Sequence, residues 1–123
     1  MKNIEYFSRI VLAVCAGIIL WLALSPNPPS PGGLFDLDKV NHVAAFFVLS
    51  LLADFSYQKN EALANKGLAL LSFGMLIEGL QYWVGYRHFE IGDLIADGAG
   101  ILAYMIFRRK IRDLLEPILA RLG

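Results

Sequence analysis

Three groups of polar residues sit inside stretches that are otherwise apolar: Asp38, Lys39 and His42; Glu78 and Gln81; and Asp93 and Asp97. Asp93 and Asp97 are four residues apart, and Glu78 and Gln81 three. In a helix either spacing puts both side chains on one face. The carboxylates Glu78, Asp93 and Asp97, the amide Gln81 and the imidazole His42 form a donor set that suits a hard divalent cation. Glu78, Asp93 and Asp97 are the candidate metal ligands, and a divalent cation is the expected cofactor. The same groups could supply a general acid and a general base of different proton affinity. On that reading Glu78, Asp93, Asp97 and His42 are the candidate catalytic residues. Lys39 and Arg87 flank the groups and suit a phosphate, arginine in a bidentate manner. Asp38, Lys39, Gln81 and Arg87 are therefore the candidate binding residues. His88 and Glu90 read as solvated loop residues.

The segments that carry these residues are unusually apolar. Of 123 residues, 57% are hydrophobic, against roughly 45–50% in a soluble domain. The length predicts one domain. The formal net charge is +0, so nothing in the charge balance points to nucleic acid. The single cysteine, Cys15, cannot form an internal disulfide and reads as a small core hydrophobe. The pattern predicts an all-α membrane protein, a bundle of four transmembrane helices plus a short C-terminal amphipathic helix. The spans fall at about 8–25, 38–57, 67–86 and 91–107, close to the ~20 residues needed to cross a bilayer. Met1 to Arg9 is short, polar and weakly basic, and Lys59 to Lys66 reads as a polar connector. Ala23-Leu24-Ser25 weakly resembles a signal-peptide cleavage site. Pro26 follows it at once, so the first segment is read as a retained anchor. Residues 25–33, rich in proline and glycine, form a helix-incompatible connector. Ile111, Leu114, Leu115, Ile118, Leu119 and Leu122 step by three and four, which predicts an interfacial helix over 110–122, kinked at Pro117.

Orientation follows from the placement of Lys and Arg. With four spans, Lys2, Arg9, Lys59, Lys66, Arg108, Arg109, Lys110, Arg112 and Arg121 lie on one side, with only Lys39 and Arg87 on the other. The positive-inside rule then puts both termini in the cytoplasm of a multi-pass protein of the cell membrane. Span two starts outside, span three ends outside and span four starts outside. At 1.5 Å per residue, Glu78 lies about 12 Å below the end of its span and Asp97 about 9 Å below the start of its own. All three polar groups therefore meet at one depth on the extracytoplasmic side. Small residues share their stripes: Ala45 with Asp38 and His42, Gly74 and Gly85 with Glu78 and Gln81, and Gly100, together with Tyr104, with Asp93 and Asp97. Such residues let membrane helices approach closely.

An ionisable residue inside a membrane segment marks a functional site or a paired structural one. Asp93 with Arg87, or Asp97 with His42, would be such a pair. Yet Asp38, Glu78, Asp93 and Asp97 outnumber Lys39 and Arg87 by two, a surplus that calls for a proton, a metal or a cationic ligand. No phosphate-cradling glycine loop, CxxC, HExxH or serine-nucleophile motif is present, and Ser50 and Ser72 read as helix-packing residues.

The ordered set Asp38-Lys39 with His42, Glu78 with Gln81, then Arg87, Phe89, Asp93, Asp97 and Gly100 resembles the VanZ-like family of small integral membrane proteins. The resemblance covers roughly residues 36 to 104. Many members carry Asn where this chain has Asp97, which questions any role there that needs a neutral amide. The family is named for a protein linked to resistance to the glycopeptide teicoplanin. The resemblance implies an envelope-associated membrane protein, and it implies neither a reaction nor resistance. Together the features lead to the expectation of a site that binds or processes an anionic lipid or a lipid-linked cell-envelope precursor, with the lipid bilayer as partner. A proton- or ion-coupled transporter and a non-catalytic structural or regulatory subunit are the alternatives.

Overall fold

A computed structural model describes residues 2–24, 37–56, 63–85 and 91–122. The described residues form four helices and no strands: α1 Lys2–Leu24, α2 Leu37–Ser56, α3 Leu63–Val84 and α4 Ile91–Leu122. The side chains of Asp38 and Lys39, though in the first turn of α2, and the whole of Arg87, His88, Phe89 and Glu90 fall outside the described residues.

The chain runs up and down, so α1 and α3 point one way and α2 and α4 the other. Cross-links fix this register. The Arg9 guanidinium, near the start of α1, donates to the Ser56 carbonyl at the end of α2 (2.9 Å). It thereby satisfies one of the acceptors that a helix C-terminus leaves without an intrahelical partner. Gln81, near the end of α3, donates from Nε2 to the Ala23 carbonyl at the end of α1 (2.8 Å). α2 and α4 lie side by side and parallel, His42 meeting Asp97 at one level and Asp54 meeting Arg108 at another. Gly100 makes that approach possible, because a Cβ there would collide with the Val43 carbonyl. α3 ends at Gly85, whose φ of 82° is the left-handed geometry that closes helices and that glycine adopts without strain.

Between the two cross-linked levels lies an apolar layer of Phe46, Leu49 and Ile101, with Leu12, Ile19, Leu71 and Phe73 packed around it. Cys15 packs against the same layer, in line with its reading as a small hydrophobe. Ser50 and Ser72 donate to the carbonyls of Phe46 and Leu68 in their own helices.

Three expectations need correction. The first is the start of the first segment, expected at about residue 8: α1 is helical from Lys2, and Ile4 and Ser8 are buried, so the residues before Arg9 belong to the bundle. The second is the connector up to Lys66. α3 starts at Leu63, and Lys66 is buried inside it because its ammonium reaches Asp54. The third is the separate interfacial helix over 110–122. α4 is one helix of 32 residues with Pro117 inside it. It carries on past 107 because Arg108 and Arg112 bind Asp54, which holds its second half to the end of α2.

Two helices are long and apolar enough to cross a membrane, α1 over Asn3–Trp21 and α3 over Ala64–Val84, while the apolar stretch of α2, Val40–Ser56, is shorter. Length and composition thus support two spans rather than four, because the charges that converge inside the bundle are concentrated on α2 and α4.

Candidate polar site at one end of the bundle

His42 sits in the second turn of α2, and Asp93 and Asp97 occupy the first two turns of α4. A carboxylate in the first turn of a helix is favoured by the partial positive charge of that end, which is the local reason Asp93 is tolerated there. Glu78 and Gln81 enter from the last turns of α3. Glu78, Asp93 and Asp97 are each 1% exposed, and Gln81 is 2% exposed. Groups this polar are buried only where neighbouring groups compensate them.

His42 is the hub. Its Nδ1 lies 2.6 Å from Asp97 Oδ1 and its Nε2 3.9 Å from Asp93 Oδ2. One ligand atom each from His42, Glu78 and Asp93 can be chosen so that all lie within 4.8 Å of one another. Asp97 is not in that triplet. It grips the far side of the imidazole and packs against α3 at Gly74, where a Cβ would come 2.5 Å from Asp97 Oδ2. Of the expected metal ligands, Glu78 and Asp93 are thus brought together, and the third member of the triplet is His42. Gln81 joins the same end of the bundle, anchored to α1 by its Nε2, while its buried Oε1 accepts no hydrogen bond from the described residues. The contributions expected of Asp38, Lys39 and Arg87 lie outside the described side chains.

A second polar centre lies at the opposite end, which the sequence reading passed over. Asp54, 0% exposed, accepts from Lys66 Nζ (3.1 Å), Arg108 Nε (2.7 Å), Arg112 Nη1 (3.0 Å) and the Tyr104 hydroxyl (2.6 Å). The hydrogen bond to Asp54 raises the already high proton affinity of Arg108, so this guanidinium stays charged. Arg112 also pairs with Glu116 (2.7 Å) and stacks on the Phe55 ring at 4.6 Å. A signal was present: Tyr104, Arg108 and Arg112 step by four along α4 and continue the stripe of Asp93, Asp97 and Gly100.

Set against known protein families, curated proteins and solved structures, the chain matches none of them.

Proposed function

We propose that this chain is a VanZ-like, multi-pass membrane protein whose His42–Glu78–Asp93–Asp97 cluster forms a site at the extracytoplasmic side for an anionic lipid or lipid-linked envelope precursor. The carrying observation is the convergence of His42 and three buried carboxylates from three helices at one end of the bundle. Lys39 and Arg87, adjacent to that end in the chain, are the residues proposed to meet the phosphate.

The outer surface supports a membrane setting for all four helices. On α4, Ile91, Ile95, Leu102 and Ile106 are all more than half exposed, and their spacing puts them on one face. On α2, Val40 and Val48 are exposed, and on α3 Leu68, Met75 and Leu76. Apolar faces this extensive are not left in water, and they cover the two helices whose inward charges keep them from reading as spans. Trp21, Tyr82 and Trp83 are exposed at the end that carries the cluster, with Tyr6 and Phe7 exposed at the other. Tyr6 and Trp21 stand about 22 Å apart along α1, a placement that suits two interfacial aromatic belts. The excess of Lys and Arg near the second belt supports a cytoplasmic position for it.

The apolar layer of Phe46, Leu49 and Ile101 separates the two polar centres, which weighs against the transporter alternative. The helix-locking alternative has one specific observation in its favour, the His42–Asp97 contact. Melting curves in detergent separate it from the lipid reading. A lipid phosphate at 100 times its dissociation constant stabilises its receptor by about 2.7 kcal/mol. The lipid reading expects that shift in wild type and its loss in a folded Glu78→Gln variant. A variant that melts early, with no lipid shifting either protein, supports the lock.

A further inference from the structure

We infer that His42 Nε2 and the carboxylates of Glu78 and Asp93 form a binding site for one divalent first-row metal ion, Mn²⁺ or Zn²⁺, with Asp97 as the positioning residue for the imidazole. The inference deepens the proposed lipid site and shares its residues.

The geometry is that of a metal-binding histidine held from behind. When Nδ1 donates to Asp97 Oδ1 at 2.6 Å, Nε2 carries the lone pair. The ring then presents that lone pair on the side of Asp93, whose Oδ2 is 3.9 Å away. That is long for a hydrogen bond. It falls within the roughly 3–4.2 Å that separates two donors sharing one ion at ~2.1 Å each. The complete triplet fits within 4.8 Å, so side-chain movements of under about 1 Å bring all three donors to the ~2.1 Å bonds of one ion. A carboxylate behind a metal-binding imidazole fixes its tautomer and raises its basicity, and Asp97 stands in that position. Gly74 supports the arrangement from α3 by leaving space for the Asp97 carboxylate, which a Cβ would enter at 2.5 Å.

Gln81 is an independent sign of a ligand. Its amide is 2% exposed and pinned through Nε2 to the Ala23 carbonyl, yet its Oε1 accepts no hydrogen bond among the described residues. It lies one turn from Glu78, and helical spacing puts both on the same face. A buried acceptor is seldom left unsatisfied, and an ion or a water bound to that ion would satisfy it. One imidazole with two carboxylates and an amide oxygen suits Mn²⁺ or Zn²⁺ better than soft copper(I), which takes sulfur ligands.

The test uses the full chain in detergent, stripped with a chelator and free of added lipid, dialysed against Mn²⁺ or Zn²⁺ alone. The expected result is about one ion bound per chain. Affinity should fall at least ten-fold in Glu78→Gln and Asp93→Asn and stay unchanged in Asp113→Asn, which alters an exposed carboxylate on α4. Asp97→Asn should weaken binding about 10–100-fold while leaving the metal-free melting temperature in place, and Asp97→Glu should recover part of the loss. Should the cluster variants not fold, a His88→Gln chain leaves His42 as its one histidine. Bound Zn²⁺ should then protect His42 from acylation. Wild type that takes up no ion at millimolar concentration, cluster variants that bind like wild type, or an unprotected His42 would each overturn the inference. Because no lipid is present, those failures leave the lipid reading standing. Metal binding with no response to any lipid phosphate overturns the lipid reading alone.

Discussion

The two polar centres of this bundle are both built around buried carboxylates and solve opposite problems. At one end a single carboxylate, Asp54, is surrounded by Lys66, Arg108, Arg112 and the Tyr104 hydroxyl. At the other end Glu78, Asp93 and Asp97 gather around one imidazole. The first centre closes on itself: the acid is fully buried, the cations reach it from two helices, and Arg9 ties α1 to the same end through the Ser56 carbonyl. The second is rich in acceptors among the described side chains, as a site for a cation must be. The lock meets its one acid with four donors, whereas the proposed site gathers three carboxylates around one imidazole. The apolar layer of Phe46, Leu49 and Ile101 keeps the two apart, about 18 Å separating His42 from Asp54 along α2.

The contrast breaks most visibly at Asp54. Replacing it with Asn leaves three cations around a neutral group, and removing one partner from a buried ionic cluster costs about 3–5 kcal/mol. Thermal melts should show the largest loss of stability here, with folded yield falling in parallel. An Asp54→Asn protein as stable as wild type would mean that this end is not a lock.

Gly100 comes next. It belongs to neither centre but sets the spacing of both, since α2 and α4 must part to admit a side chain beside Val43 and Phe47. Gly100→Leu should destabilise by about 1–3 kcal/mol as an overpacking change and weaken the His42–Asp97 and Asp54–Arg108 links together. Chemical denaturation checks the first effect, and ligand binding at the His42 cluster checks the second.

Tyr104→Phe removes one hydrogen bond from Asp54 while its three cations remain. A hydrogen bond to a charged group contributes about 1.5–3 kcal/mol, and with the acid still paired the lower figure applies. Melting in detergent should register that loss without any change in binding at the opposite end.

The smallest effect on stability and the largest on binding are expected from Glu78→Gln. The amide keeps the volume of the side chain, removes its charge and turns one acceptor oxygen into a donor. Stability should stay within about 1 kcal/mol of wild type, inside the common range for point substitutions. A loss comparable to that of Asp54→Asn would place both centres in the same structural class.

The His42 cluster was legible in the sequence because its parts repeat one signal, charge inside an apolar run, at compatible positions in three segments. The His42–Asp97 pairing was open to sequence reasoning as well. The choice of His42 over Asp97 beside Glu78 and Asp93 was not, since it depends on which way an imidazole turns. The Asp54 lock was harder to see for a different reason. Asp54 and Lys66 lie near the ends of their segments, where charge usually means solvent, and Arg108 and Arg112 read as ordinary residues following a span. Only the parallel packing of α2 on α4, with partners more than 50 residues apart in the chain, turns them into one group. The same packing explains why α4 continues to Leu122 where composition suggested a break. Window hydropathy selects α1 and α3, because on α2 and α4 it averages the charges with the exposed apolar residues.

The division between lock and site is tested most directly by melting wild type, Glu78→Gln and Asp54→Asn in detergent, each with and without a polyprenyl phosphate, a phosphatidic acid and Mn²⁺. The account predicts that wild type is stabilised by one lipid phosphate or by the metal, that Glu78→Gln melts near the unliganded wild type and responds to neither, and that Asp54→Asn melts far lower. A Glu78→Gln protein that melts as early as Asp54→Asn, beside a wild type that no ligand shifts, would contradict it.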